Sequence, residues 1–251
     1  MGRVTILGSG HAVAEDGHEN THLLIEQGTQ CILVDCASSP IARLKKAGVA
    51  FDRVTDLILT HFHPDHVAGV PVFLVDSWLL GRKHPLNIYG LPHTIDRVES
   101  MMALYDWKKW PQFYPVIFHR LADQEMSLAL GGPELRVFTS PVKHMVPTIG
   151  MRIEFTLDGK TLAYSCDTEP CPQVIELARG ADGLVHEATG MGVGHSSAAQ
   201  AALIARQADV KNLYLIHYSA QADLLPGLLH DAREIFPGKV FLAVDGMTLE
   251  F

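Results

Sequence analysis

His61-Phe62-His63-Pro64-Asp65-His66 places four potential metal ligands within six residues. Imidazole nitrogen and carboxylate oxygen are the donors expected for zinc and neighbouring divalent cations. The cluster follows an apolar run, Val54–Thr60, that reads as a buried strand. Loops at strand ends are where rigid scaffolds display function. On such a loop His61 and His63 can face one way and Asp65 and His66 another, so one loop can serve two adjacent ions.

Two ions need further ligands, and three places qualify because an apolar strand leads into each. Val137–Pro141 leads to His144 in SPVKHMVPTIG, Thr161–Ser165 to Asp167 in LAYSCDTEP, and Asn212–Ile216 to His217 in NLYLIHYS. An aspartate can bridge two cations through its two oxygens. His186 and Glu187, in LVHEAT, follow a fourth strand, and His195 in GHSS precedes a helix that Ser196 could cap.

The elements that must position these groups read as hairpins first and βα alternation second. Strands are expected at Val4–Leu7, Thr21–Glu26 and Gln30–Asp35, with Gly8-Ser9-Gly10 an exposed tight turn and Gly28 a hairpin turn. Helices are expected over 39–47, 67–80, 94–104, 173–179, 197–208 and 225–235. Further strands are expected at Leu86–Tyr89, Leu135–Thr139, Ile149–Thr156, Thr161–Ser165, Gly183–Val185, Asn212–Ile216, Val240–Ala243 and Met247–Glu250. The hairpin-then-βα order occurs twice, which suggests two sheets packed face to face with helices outside.

Bulk properties narrow the function classes. A 47% hydrophobic content over 251 residues supplies a sizeable core, and a net charge of −8 excludes a global basic field for nucleic acid. Cys31, Cys36, Cys166 and Cys171 form no CxxC pair and read as free thiols of a reducing compartment. With no signal peptide and no run of about eighteen apolar residues, a soluble cytoplasmic protein without a membrane span is expected. The segment Tyr105–Tyr114 is dense in aromatics, with Lys108 and Lys109. It could stack bases, close over a pocket, contact a second subunit or pack a helix end.

Across nearly its whole length the chain resembles the metallo-β-lactamase-fold hydrolases, in particular the ribonuclease Z-like branch. The resemblance is carried by ILGSG, LVDC, THFHPDH followed by Val67-Ala68-Gly69, PVKHMVPTIG, YSCDT, LVHEATG, GHSSAAQAA and LIHYS, in that family's order. It implies an α/β fold, a four-layer αββα sandwich of two mixed sheets flanked by helices, as one domain over residues 1–251. It implies one metal held by His61, His63 and His144, and another by Asp65, His66 and His217, with Asp167 bridging. Two zinc ions are expected, and manganese or iron could load the same ligands. A hydroxide between the metals would attack phosphorus, with Asp65 in the catalytic set, His195 protonating the leaving oxygen and Glu187 orienting His195.

The chain departs from the transfer-RNA-processing members in one respect. Their long flexible arm is expected between the positions of His144 and Asp167, where this sequence has only a hairpin turning at Asp158-Gly159. Asp76–Pro115 offers Arg82, Lys83, Lys108 and Lys109 as a thin set of cations instead. The expected function is therefore a di-zinc phosphodiesterase for small or cyclic phosphodiesters. The alternatives are transfer RNA 3′ processing, for which RNA is a less favoured partner, and a sulfatase, lactonase, thioesterase or β-lactamase on the same centre. A non-catalytic metal-binding protein is the remaining class. A homodimer is expected, with Val70–Leu80 and the tryptophan-rich segment as its contact.

Overall fold

The computed structural model describes residues 1–221 and 223–251. Its strands form two seven-stranded sheets. The first contains β1 (Arg3–Gly8), β2 (His22–Gln27), β3 (Gln30–Val34), β4 (Asp56–Ile58), β5 (Leu86–Gly90), β6 (Val116–Arg120) and β14 (Thr248–Glu250), in the order β14-β1-β2-β3-β4-β5-β6. The second contains β7 (Ser127–Gly131), β8 (Leu135–Val142), β9 (Thr148–Phe155), β10 (Lys160–Tyr164), β11 (Gly183–Glu187), β12 (Asn212–Ile216) and β13 (Lys239–Leu242), in the order β13-β12-β11-β10-β9-β8-β7. Both sheets are mixed. β3 to β6 run parallel beyond the antiparallel β1–β3 meander, and β10 to β13 run parallel beyond the antiparallel β7–β10 meander.

Alternation along the strands makes the layers. In β2, Leu23 and Ile25 enter the core between the sheets, whereas Leu24 faces the helices. The helices α1 (Pro40–Lys46), α2 (Pro64–Val67), α3 (Val70–Leu79) and α4 (Pro92–Ala103) belong to the first half of the chain. Leu44, Val67, Val70, Phe73, Leu74, Ile95 and Val98 from these helices cover the outer face of the first sheet. The second sheet is covered by α5 (Pro172–Ala178), α6 (Ala198–Gln207) and α7 (Leu225–Arg233), through Val174, Ala201, Ala202, Ala205 and Ala232. The result is the expected four-layer αββα order.

Several expectations are corrected. The helix expected over 67–80 is two helices, interrupted at Ala68-Gly69. Pro71 has no N–H to continue the ladder, and Gly69 packs so closely that an added Cβ would lie 2.7 Å from the Cys36 carbonyl. The turn Gly8-Ser9-Gly10 is buried rather than exposed, because the 18–20 segment closes over it. Strands β6 and β7, unexpected from the sequence, lie at sheet edges and alternate half-buried with exposed residues. Neither strand has a fully buried residue, so no buried face marks them. Among the described residues no helix is long and apolar enough to cross a membrane, and the four cysteines are free and buried.

Candidate active site

The parallel strands of both sheets end at one rim, the place where open α/β sheets bind ligands. After β4, Leu59 closes the ladder by donating to the Tyr89 carbonyl, and the histidine loop begins at buried His61. Pro64 opens α2, a position where its missing N–H costs nothing, and this short helix projects Asp65 and His66. His144 follows β8, Asp167 follows β10 and His217 follows β12. Glu187 is the last residue of β11, so it and His186 lie in the strand rather than beyond it.

Three of these strand ends use left-handed backbone at non-glycine residues: Asp35 (φ 60°), Cys166 (φ 54°) and His217 (φ 55°). Such conformations cost on the order of 1–2 kcal/mol each. They persist where surroundings over-determine them, commonly at functional sites. The His217 N–H, for example, is fixed by donating to the Ser9 carbonyl at 2.9 Å.

Two sets of ligand atoms converge. His61 Nε2 and His144 Nε2 each lie 3.1 Å from His63 Nδ1. Beside them, His66 Nε2 lies 3.4 Å from Asp65 Oδ2 and 3.5 Å from Asp167 Oδ2. His217 Nε2 lies 3.5 Å from Asp65 Oδ2 and 3.4 Å from Asp167 Oδ2. Asp167 also groups with His144 and His195, so it stands between the two sets. All seven side chains named from the sequence as metal ligands therefore meet at one place.

The second nitrogen of each outer imidazole is occupied, which sets the tautomer. His66 Nδ1–H donates to Asp35 Oδ2 at 2.8 Å, His144 Nδ1–H to the Gly194 carbonyl at 2.7 Å, and His217 Nδ1–H to Thr189 Oγ1 at 2.7 Å. Thr189 Oγ1–H is itself committed to the His217 carbonyl. Each ring thus offers Nε2 as a lone pair to the centre, the arrangement in which metal-bound histidines are held by outer partners. His66 Nε2 and Asp167 Oδ1 are buried with no hydrogen-bond partner. Buried polar atoms left unpaired are costly, and a divalent cation pair would satisfy both. The donor set fits two such ions.

Electrostatics point the same way. Burial opposes ionisation of Asp167, yet His217 and His66 outweigh it and hold its carboxyl well below the usual range. Burial also opposes ionisation of Asp65, and hydrogen bonds from His217 and His66 again prevail. Burial pushes His61, His63 and His144 below the usual imidazole value, favouring the neutral ligand form. His66 is shifted upward despite burial, by Asp167 and Asp35. A bound cation would take the place of that proton.

His195 adjoins both sets, its ring 5.1 Å from that of His144 and 5.8 Å from that of His217. Its Nδ1 lies 3.1 Å from Glu187 Oε1. That hydrogen bond, before any other influence, raises the His195 pKa. Glu187 is fully buried and also accepts the N–H groups of Thr168, Ser196 and Thr189. The helix after His195 is capped by Ser197 in a capping box with Gln200, whereas Ser196 donates its hydroxyl to the Thr168 carbonyl. Cys166 Sγ lies 3.6 Å from His61 Nδ1, but burial drives its thiol pKa well up, so it packs as a neutral thiol.

Asp35, Thr60 and Thr189 were not singled out as site residues from the sequence. Asp35 accepts from the Thr60 backbone N–H at 2.8 Å and also holds His66, joining β3 to the histidine loop. Its signal was available: an acid closing the apolar strand CILVD, as Asp167 comes shortly after TLAYSC. His186 lies beside Glu187 but donates Nδ1–H to the Glu187 carbonyl and points away from the set.

The segment Tyr105–Tyr114 packs as a helix end. Trp110 stacks on Trp78 of α3 at 5.5 Å, Trp78 Nε1–H donates to the Pro111 carbonyl, and Trp107 is buried. Arg82 is only 2% exposed and is consumed by the carbonyls of His84, Val54 and Pro85. The cations of Asp76–Pro115 are thus fewer than the sequence suggested, and Lys109 is paired with Asp106.

A family model described as anti-Pycsar protein Apyc1 matches residues 2–227. Among curated proteins, ribonuclease Z of Azobacteroides pseudotrichonymphae is 31% identical, covering 98% of this chain and 97% of the relative. Ribonuclease Z of Methanothermobacter thermautotrophicus is 28% identical, covering 100% and 97%. The first alignment extends over 285 positions, more than this chain's 251 residues, so the relative carries segments without a counterpart here. Among solved structures, the metallo-β-lactamase-fold protein YhfI of Bacillus subtilis superposes with a TM-score of 0.81 at 23% identity, covering 100% and 99%. Human tRNase Z, short form, superposes with a TM-score of 0.79 at 24% identity, covering 99% and 98%.

Proposed function

We propose, for a chain that belongs to the ribonuclease Z-like metallo-β-lactamase-fold hydrolases and matches the anti-Pycsar protein Apyc1 family, a phosphodiesterase acting on small or cyclic phosphodiesters. Membership makes the protein a metal-dependent hydrolase; the substrate size and the residue roles are our reading. The observation that carries it is the His195–Glu187 pair at 3.1 Å, set against two convergent ligand groups. A phosphodiester expels a poor alkoxide leaving group, and a positioned acid adds about 10²–10⁴-fold in such reactions. Nitrophenyl esters, which expel a stable phenolate, have less need of one.

In this reading His61, His63 and His144 hold one cation, and Asp65, His66 and His217 the other, with Asp167 between them. When bound, the pair would supply an acidified water as nucleophile and neutralise phosphoryl charge. Asp65 would orient the attacking water, His195 would deliver a proton to the departing oxygen, and buried Glu187 keeps the donor charged and aimed. Zinc suits the imidazole-rich donor set, and manganese or iron shares the affinity order. We read residues 1–251 as one domain because one apolar core joins the two sheets. Free buried thiols accord with a cytoplasmic setting. Exposed Val72, Leu79, Leu80, Leu104 and Tyr105 around α3 and the end of α4 favour a homodimer.

Transfer RNA 3′ processing is the second reading, favoured by relatives named ribonuclease Z. The hairpin between β9 and β10, with no arm, and the committed Arg82 and Lys109 weigh against it. The deciding assay compares metal-assayed protein on a dinucleoside monophosphate, bis(p-nitrophenyl) phosphate, p-nitrophenyl sulfate, a lactone and precursor transfer RNA. Preferred diester turnover that chelation abolishes supports the proposal. A preference for sulfate or lactone, or specific 3′ cleavage of the precursor, overturns it.

A further inference from the structure

Gly194 is the hinge between the metal-ligand loop and the acid, and both sides of it are tied down. Its carbonyl accepts from His144 Nδ1–H at 2.7 Å, and its N–H donates to Glu169 Oε1 at 3.1 Å. The φ of +82° and a notional Cβ only 2.8 Å from His144 Nδ1 leave no room for any other residue there. Glu169 lies two residues beyond Asp167 and is itself anchored twice. Its N–H donates to the Lys143 carbonyl at 2.8 Å, and its Oε2 lies 2.6 Å from Lys143 Nζ. The adjoining Thr168 receives the Lys143 N–H on its hydroxyl and the Ser196 hydroxyl on its carbonyl.

Three strand ends therefore meet through one carboxylate: the loop of His144, the loop of Asp167 and the loop of His195. We infer that Glu169 is a positioning residue that sets His195 through Gly194, so that the acid is registered to the same loops that bear the metal ligands. The inference rests on the reading of His195 as the proton donor. Glu169 touches no reacting atom. Losing its hold on the Gly194 N–H lets the 190–196 loop shift, and misplacement by about 1 Å can cost about 10²-fold.

The test uses Glu169→Ala and Glu169→Gln in the full chain. The glutamine keeps an oxygen for the Gly194 N–H and gives up only the charge facing Lys143. Turnover is measured, with metal content, on a dinucleoside monophosphate, which expels an alkoxide, and on bis(p-nitrophenyl) phosphate, which expels a stable phenolate. In parallel, the His195 ring resonances are followed by ¹H–¹⁵N NMR in metal-free protein. Glu169→Ala is expected to lower kcat on the dinucleotide by about 10- to 100-fold, with a smaller loss on the nitrophenyl diester. The His195 Nδ1–H signal should weaken, and Glu169→Gln should restore both. Equal losses on both diesters with loss of metal, or no loss on the dinucleotide, would overturn the inference. If the wild type turns over neither diester, the phosphodiesterase reading fails. The ring resonance then decides the inference alone: an unchanged signal in Glu169→Ala overturns it and a weakened one sustains it.

Discussion

His66 Nδ1 lies 2.8 Å from Asp35 Oδ2, with both side chains at 0% exposure. Asp35 also holds the Thr60 N–H and hydroxyl, so a single buried carboxylate fixes the histidine loop at its root and one imidazole at its far end. Outer partners of this kind orient metal-bound histidines, the role we propose for His66.

Asp35→Asn removes the charge behind His66 while keeping the shape of the side chain. Metal affinity is expected to fall by about 10- to 100-fold, read by competition with a chromophoric chelator. Retained affinity would mean that His66 is held by packing alone.

Glu187→Gln should weaken His195 as an acid, since the hydrogen bond to Glu187 is the first cause of its raised pKa. The expected loss is at least about tenfold in kcat on an alkoxide-leaving diester, within the range that general acids supply. The nitrophenyl diester should suffer less, and a stopped assay on the two substrates distinguishes this from a general loss of structure.

Acid should destabilise the fold through His22. Burial holds its pKa below the ordinary 6.5, and its Nε2 has no partner. The folded form is therefore neutral where the unfolded chain takes up a proton. Stability is full above about pH 6.5 and declines as pH falls below it. Urea unfolding of chelated protein at about pH 7.5 and about pH 5.5 should show a smaller decline in His22→Asn than in the wild type.

Arg82→Met should cost stability and leave RNA affinity unaltered. The guanidinium satisfies the carbonyls of His84, Val54 and Pro85, and stranding such groups costs about 1–3 kcal/mol. A fall in denaturation midpoint with unchanged RNA retention checks this. A selective loss of RNA retention would restore Arg82 as a phosphate contact.

The convergence of the candidate ligands was readable because they obey one rule, a polar side chain within three residues of the end of an apolar strand. His61, His144, Asp167 and His217 each follow such a run, and strand order then delivers them to one rim. The outer partners were harder to read. Thr189 and Gly194 act through an hydroxyl and a carbonyl whose use depends on where β12 and the His144 loop arrive. Edge strands β6 and β7 escaped because their residues are only half buried. The break at Ala68-Gly69 is set by contact with the Cys36 and Ala37 carbonyls, a partner thirty-odd residues away that helical periodicity does not register.

Proton donation by His195 is tested by the ratio of His195→Ala to wild-type turnover on two diesters, with metal content matched. One expels an alkoxide and the other p-nitrophenolate. Proton donation by His195 predicts a loss of about 10²–10⁴-fold on the first and a much smaller one on the second. Equal losses on both substrates, or none on either, would contradict the account and leave only the metal-ligand groups.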